Sequence, residues 1–218
     1  MERSRIAIVI PALNEAATIS STVESLVNYG IPIIVDDGST DATAKLAKIA
    51  GGKVVSHNSN QGYDEALNSG FECAKNLGCE YVITFDADGQ HDVMFLPIFI
   101  NALIHEVDIV IGIRNNRARL AEHCFAFMTQ ILYGLKDPLC GFKGYKMSIY
   151  NKLGYFDSYK SIGTELSLFA VRNKFRLKQI PIKILDRQDT PRLGHKFKAN
   201  MKIFRAMLLA FFLVSKRK

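Results

Sequence analysis

Two carboxylates, Asp86 and Asp88, close an apolar run, and Gly89, Gln90 and His91 follow at once. The run from Tyr81 to Phe85 has the length and β-branched content of a buried strand. A strand interior rejects charge, so both aspartates are expected at its carboxyl end, where open α/β sheets bind ligands. Alternate residues of an extended chain face one side, which would turn both carboxylates toward one site. Carboxylates that close repel each other unless a cation lies between or beside them. Their hard oxygens suit Mg²⁺ or Mn²⁺, and Gln90 adds a neutral oxygen at the next alternate position. Mg²⁺ commonly takes one or two carboxylates and fills its shell with water and substrate phosphate. The other reading of these residues is a polar turn in which an aspartate caps the next helix.

Two more apolar runs end in polar groups. Ile6 to Ile10 stops at Pro11-Ala12-Leu13-Asn14-Glu15, and Ile31 to Val35 at Asp36-Asp37-Gly38-Ser39-Thr40-Asp41. A carboxylate at a strand end can accept hydrogen bonds from a nucleoside base or from ribose hydroxyls. Helical patterns follow each strand: to about Asn28, over Ala42 to Ala50, over 63 to 77, and from about Val93 to Ile104. Shorter strands are expected at Lys53 to Ser56 and Asp108 to Ile113, and a later one at Lys178 to Leu185. This β-α alternation argues a mostly parallel sheet with helices on both faces. A dinucleotide fold would need a glycine-rich turn after the first strand, and Pro-Ala-Leu-Asn-Glu stands there instead. There is no GxxxxGK[ST] phosphate loop either.

The 218 residues suit one domain with a sizeable core. Cys73, Cys79, Cys124 and Cys140 show neither metal spacing nor a CxxC pair, and are expected to be reduced, buried thiols. No apolar run reaches the roughly 20 residues that span a bilayer. The net charge of +7 hides an asymmetry: residues 172–218 hold 14 Lys and Arg against 2 Asp and Glu, and residues 1–171 hold 14 against 19. A basic tail on an acidic body implies an anionic partner.

In their order, these pieces resemble family 2 inverting glycosyltransferases of the GT-A fold, and within them the polyprenyl-phosphate glycosyltransferases and dolichol-phosphate mannose synthases. The matching pieces are Ile10 to Glu15, Val35 to Asp41, and Asn60-Gln61-Gly62 with Ala66, Asn68 and Gly70. They continue with Asp86 to His91, Asp137-Pro138-Leu139-Cys140-Gly141-Phe142-Lys143 and Arg192-Leu193-Gly194-His195-Lys196. The resemblance implies that Pro11, Leu13, Glu15, Val35 and Asp37 hold the nucleoside of a GDP- or UDP-linked sugar. Asp86, Ala87, Asp88 and Gln90 would take the metal and diphosphate end, with Asp86, Asp88 and Gln90 as metal ligands. Arg192 and Lys196 would lie over the diphosphate or the acceptor phosphate. Many members carry an aromatic residue where this chain has Leu13.

The implied reaction is attack of an acceptor oxygen on the anomeric carbon, with inversion and loss of a nucleoside diphosphate. Cations would stabilise the leaving group. A sugar hydroxyl needs a general base, whereas a polyprenyl phosphate is already ionised at neutral pH, its second pKa being about 6. Asp88, Arg114 and Glu165 are the candidate catalytic residues. Arg114 ends the strand after Ile109, in a stretch with Arg117 and Arg119, and would contact phosphate. Glu165 opens an apolar helix and is either a base or a charge favoured by the helix dipole. His57, His105 and His123 read as ordinary loop or helix-surface residues. A saccharide acceptor in surface-glycan assembly is the alternative, as is a nucleotide-sugar-binding subunit without turnover.

Residues 195 to 214 read as a helix. Lys198, Lys202 and Arg205 share one stripe beside Phe197, Met201, Phe204, Leu208 and Phe211. Its basic, apolar character suits the interface of an anionic membrane. The expected organisation is therefore a GT-A domain over 1–194 and an interfacial helix over 195–218. The protein would sit peripherally on the cytoplasmic face of a membrane. A core helix, a homo-oligomer contact or a membrane partner subunit would account for the same apolar surface. Nucleic acid is excluded as a partner, because the basic residues accompany long apolar runs rather than isolated stacking aromatics.

Overall fold

A strand that is apolar on both sides needs cover on both faces, and the first strand, β1 (Ile6–Ala12), receives it. Ala7 and Val9 point into one core cluster, and Ile6, Ile8, Ile10 and Ala12 into the other. The computed structural model describes residues 3–117, 119–185 and 196–216. β1 runs parallel to β2 (Ile31–Asp36) on one side and to β4 (Tyr81–Thr84) on the other. β3 (Lys53–Ser56) continues the sheet beyond β2. On the far side, β5 (Ile109–Arg114) pairs in parallel with β7 (Leu177–Ile182). The order across the seven strands is β3-β2-β1-β4-β6-β5-β7.

β6 (Lys143–Lys146) follows the Asp137–Lys143 motif and carries no strand pattern of its own. It is the antiparallel member, inserted between β4 and β5, with Thr84 opposite Lys143 and Ile111 opposite the same residue. Gly144 faces the helix above, where a Cβ would lie 2.7 Å from Leu103 Cδ1.

Helices α1 (Ile19–Leu26), α2 (Thr43–Ile49) and α4 (Leu96–His105) cover one face. The other face carries α3 (Tyr63–Asn76), α5 (Leu120–Tyr133), α6 (Met147–Leu153), α7 (Glu165–Arg172) and α8 (Lys196–Lys216). α3 lies close on the sheet because Gly70 has no side chain; a Cβ there would come within 2.2 Å of Val9 Cγ1. The expected mostly parallel α/β sheet with helices on both faces is what forms.

Ile203, Ala206 and Ala210 of α8 are buried in the same cluster as residues of α5 and α7, and Ala199 is buried as well. The small residues at that spacing let α8 approach its neighbours closely. Of the cysteines, Cys79 and Cys140 are buried and Cys73 and Cys124 half-buried, all free.

Candidate active site

Three chain segments meet at the carboxyl edge of β4. The first carries Asp86, two residues past the strand. Its carboxylate rests against the backbone of Gly141, where an added Cβ would be 2.2 Å from Asp86 Oδ2. Gly141 thus has no side chain because the site puts a carboxylate in its place. Thr84 clamps the two segments from below, its hydroxyl donating to the Gly141 carbonyl at 2.5 Å. The Asp88 carboxylate accepts the Gln90 N–H at 3.1 Å, and Gly89 supplies the left-handed turn (φ +72°) that brings this about. Ala87 is buried beneath them.

His91, 6 % exposed, accepts the Asp86 N–H on Nδ1 at 3.2 Å and has Nε2 3.5 Å from Asp86 Oδ2. Phe85 and Phe142 flank its ring. Burial pushes its pKa down to about 4, so it is a neutral hydrogen-bonding strut for the Asp86 turn. The chain after β7 also reaches this turn: Leu185 N–H donates to the Gln90 carbonyl at 2.9 Å, and Gln90 Nε2 donates to the Leu185 carbonyl at 3.5 Å. Arg192 lies outside the described residues. Lys196 begins α8, and its side chain also lies outside them.

The loops after β1 and β2 interlock beside this turn. Asn14, at a left-handed φ of 53°, donates its N–H to Ser39 Oγ at 2.9 Å and accepts the Thr40 N–H at 2.8 Å. Glu15 N–H donates to Thr43 Oγ1 at 2.7 Å, and its buried carboxylate accepts from the Thr18 hydroxyl at 3.2 Å. Asp37 organises the third loop: it accepts the N–H groups of Gln61 and Gly62, both at 2.8 Å. Pro11 and Leu13 are half-buried at this edge.

Val35 is fully buried and its side chain packs under α3, near Gly70, which leaves its backbone at the strand end. One assignment in this region needs correction. His57 is more than a loop residue: Nδ1 bonds Asp37 Oδ1 at 2.7 Å and Nε2 bonds Ser69 Oγ at 2.9 Å. Nothing local in Ser56-His57-Asn58 signals this, because both partners are remote in sequence.

On the far side of Asp86, Arg114 ends β5 as expected, and its guanidinium is oriented by two acids. Its Nε and terminal nitrogen each donate to Asp137 at 2.9 Å, and Glu122 stands 3.3 Å away. Two buried carboxylates require that charge. Despite burial, the Asp137 hydrogen bonds push the Arg114 pKa above its usual range. Arg117 donates to the Lys136 carbonyl at 2.7 Å and Arg119 to Glu122 at 3.0 Å. Glu165 is 4 % exposed and opens α7, accepting the Ser158 N–H at 2.6 Å and the Ser158 hydroxyl at 2.9 Å. Burial raises its pKa to about 7.

The donor set fits a hard divalent cation. Among the described residues no three His, Cys, Asp or Glu side chains gather as a metal cage. Two strand-end aspartates with a neighbouring amide oxygen leave most of a coordination shell to phosphate and water, the usual arrangement for Mg²⁺.

Comparison with known proteins agrees with this construction. The chain matches the family model described as glycosyl transferase family 2 over residues 7–180. It is 28 % identical to a UDP-N-acetylglucosamine–dolichyl-phosphate N-acetylglucosaminyltransferase of Methanococcus voltae, over 93 % of this chain and 94 % of that one. It is 26 % identical to a polyprenol monophosphomannose synthase of Mycolicibacterium smegmatis, over 84 % and 78 % of the two chains. Among solved structures, glucosyl-3-phosphoglycerate synthase from Mycobacterium tuberculosis, crystallised with Mn²⁺, UDP and glucosyl-3-phosphoglycerate, superposes with a TM-score of 0.76 at 21 % identity. That match covers 94 % of this chain and 79 % of the other. The fold is therefore the GT-A type that the sheet order suggests. With a family match that takes in every strand from β1 to β6 and the whole aspartate turn, the chain belongs to glycosyl transferase family 2.

Proposed function

We propose that this glycosyltransferase moves a sugar from a GDP- or UDP-linked donor to a polyprenyl phosphate, with inversion and with Mg²⁺ or Mn²⁺. The observation that carries the reading is the Asp86–Asp88 turn at the sheet edge, beside three interlocked loops. Asp37 and Glu15 shape the loops that would receive the nucleoside, with Pro11 and Leu13 as its apolar floor. Asp86, Asp88 and Gln90 would hold the cation, which supplies positive charge where the diphosphate departs. Arg192 and Lys196 remain candidates for the diphosphate on the strength of the sequence motif.

The acceptor assignment rests on acid–base chemistry. A phosphate oxygen forms the new bond to the anomeric carbon as the bond to the donor diphosphate breaks, and no proton has to be removed. A saccharide hydroxyl would need a base. Glu165, with its pKa near 7, has the right affinity for a proton, but both its oxygens are turned onto Ser158. Arg114 would act through Asp137 to shape the acceptor side. The relatives whose names specify dolichyl phosphate and polyprenol support the same choice.

Such an acceptor presents its head group at a bilayer, and a peripheral position on the cytoplasmic face of a membrane fits it. No described helix is long and apolar enough to cross one. The outward side of α8 exposes Met201, Leu208 and Phe211 beside Arg205, and that of α5 exposes Leu120, Phe127 and Ile131. Large exposed apolar faces beside cations suit an anionic lipid surface.

The test is release of nucleoside diphosphate from a panel of nucleotide sugars, with and without a polyprenyl phosphate and with and without EDTA. Lipid-stimulated, EDTA-sensitive release is expected. Release stimulated instead by saccharides, and lost in Glu165→Gln with nucleotide-sugar binding intact, would replace the acceptor. Binding with no release under any condition would reduce the protein to a nucleotide-sugar-binding subunit.

A further inference from the structure

Lys143 is a cation buried to 3 % exposure that the reaction above leaves unused. Its Nζ donates to the Gly163 carbonyl at 2.6 Å. From the other side, Gly163 donates its own N–H to Asp64 Oδ1, also at 2.6 Å. One glycine is thus held at both polar groups by charged side chains from two remote elements, β6 and α3.

The segment so held resists its conformation. Lys160, Ile162 and Gly163 all stand at left-handed φ, 57°, 59° and 65°. Side-chain-bearing residues adopt that region only where the surroundings compel it, and such segments cluster at functional sites. Further ties converge on the same turn. Asn68 accepts the N–H groups of Phe156 and Asp157 and donates to the Asp157 carbonyl at 2.8 Å. Asp157 accepts the Ser161 N–H at 3.0 Å, and Arg205 of α8 donates to the Lys160 carbonyl at 3.1 Å.

The turn faces the aspartate site. A Cβ on Gly163 would stand 3.3 Å from Tyr63 Cε1. Tyr63 is 38 % exposed at this surface, and partial burial, followed by the Asp86 and Asp64 carboxylates, raises its pKa. Both anchors lead back to the site as well. Lys143 pairs with Thr84, two residues before Asp86, and Asp64 sits two residues after Gly62, whose N–H Asp37 holds.

We propose that Lys143 and Asp64 are positioning residues that clamp Gly163, setting the Lys160–Thr164 turn and Tyr63 as the acceptor-side wall of the site beside Asp86. This rests on the glycosyltransferase reading above for the identity of the acceptor. The clamp itself stands on geometry alone.

The test compares Lys143→Met, Asp64→Ala and Asp64→Asn in the full chain. UDP and GDP binding with Mn²⁺ is read by calorimetry, kcat and KM with a short-chain polyprenyl phosphate, and backbone hydrogen exchange over residues 156–165. Lys143→Met and Asp64→Ala are expected to raise the acceptor KM about tenfold or lower kcat as much, with nucleotide Kd within about threefold. Exchange over 156–165 should accelerate while residues 31–41 stay protected. Asp64→Asn keeps an oxygen for the Gly163 N–H and should recover most of the loss. Equal losses in nucleotide and acceptor binding, failure of Asp64→Asn to recover, or unchanged exchange would overturn the clamp. Wild-type protein that turns over no polyprenyl phosphate would instead overturn the acceptor assignment, and exchange would still decide the clamp.

Discussion

The carboxylate of Asp86 fills the space that a side chain on Gly141 would need, with Oδ2 2.2 Å from the position of the missing Cβ. The two residues belong to motifs 55 positions apart, and β6 brings them together by running back alongside β4. Gly141→Ala should therefore push the Asp86 carboxylate aside with the sheet intact. A shift of about 1 Å at a reacting centre can cost on the order of 10²-fold. Turnover is expected to fall by about that factor, with little change in melting temperature, as measured by nucleoside diphosphate release and thermal denaturation.

Asp88→Asn removes one of the two charges at the strand end and keeps the side-chain volume. Loss of one electrostatic stabiliser typically costs about 10²–10³-fold in rate. The same loss should appear in kcat, and higher Mn²⁺ should not restore it fully. Retention of wild-type turnover would remove Asp88 from the metal set.

His57 links Asp37 to Ser69 with both ring nitrogens. His57→Phe leaves a largely buried carboxylate short of a partner, at an expected cost of about 1–3 kcal/mol. Urea denaturation reads that loss. Nucleotide binding should weaken too, because Asp37 holds the Gln61–Gly62 backbone.

Glu165 gives a pH-dependent signature with a definite sign. Its pKa is raised from 4.5 to about 7 by burial, so the folded state favours the protonated acid. That contribution is fully present below pH 4.5 and is lost as pH rises through 7. Glu165→Gln, which cannot ionise, should gain stability relative to wild type between pH 5 and pH 8. Urea midpoints at the two pH values test this; a difference independent of pH would contradict the buried, raised carboxylate.

The outward faces of α5 and α8 can be tested without turnover. Phe127→Ser with Leu208→Ser removes two side chains exposed to 69 % and 53 %. Each buried side chain of this size is worth about 1.5–3 kcal/mol. Cosedimentation with vesicles of anionic phospholipid should fall about tenfold or more. Ile49→Ser, 72 % exposed on the opposite face of the sheet, should leave it unchanged.

What the sequence determined by itself was whatever is written in local periodicity. The parallel strands, their helices and the polar strand ends were legible because burial on both faces demands continuous apolar runs and forces charge to the edges. The aspartate turn was legible for the same reason. The tertiary structure alone decided the insertion of β6, whose Lys143-Gly144-Tyr145-Lys146 carries no strand signal because its register is set by its neighbours and not by its own pattern. It also decided the partners of charge: Arg114 with Asp137, His57 with Asp37, Lys143 with Gly163. A buried ion must find a counter-group wherever the fold brings one, and sequence separation holds no record of that distance. For α8 the sequence supplied the helix, and packing decided which face Ala199, Ile203, Ala206 and Ala210 would bury and which would be left outward.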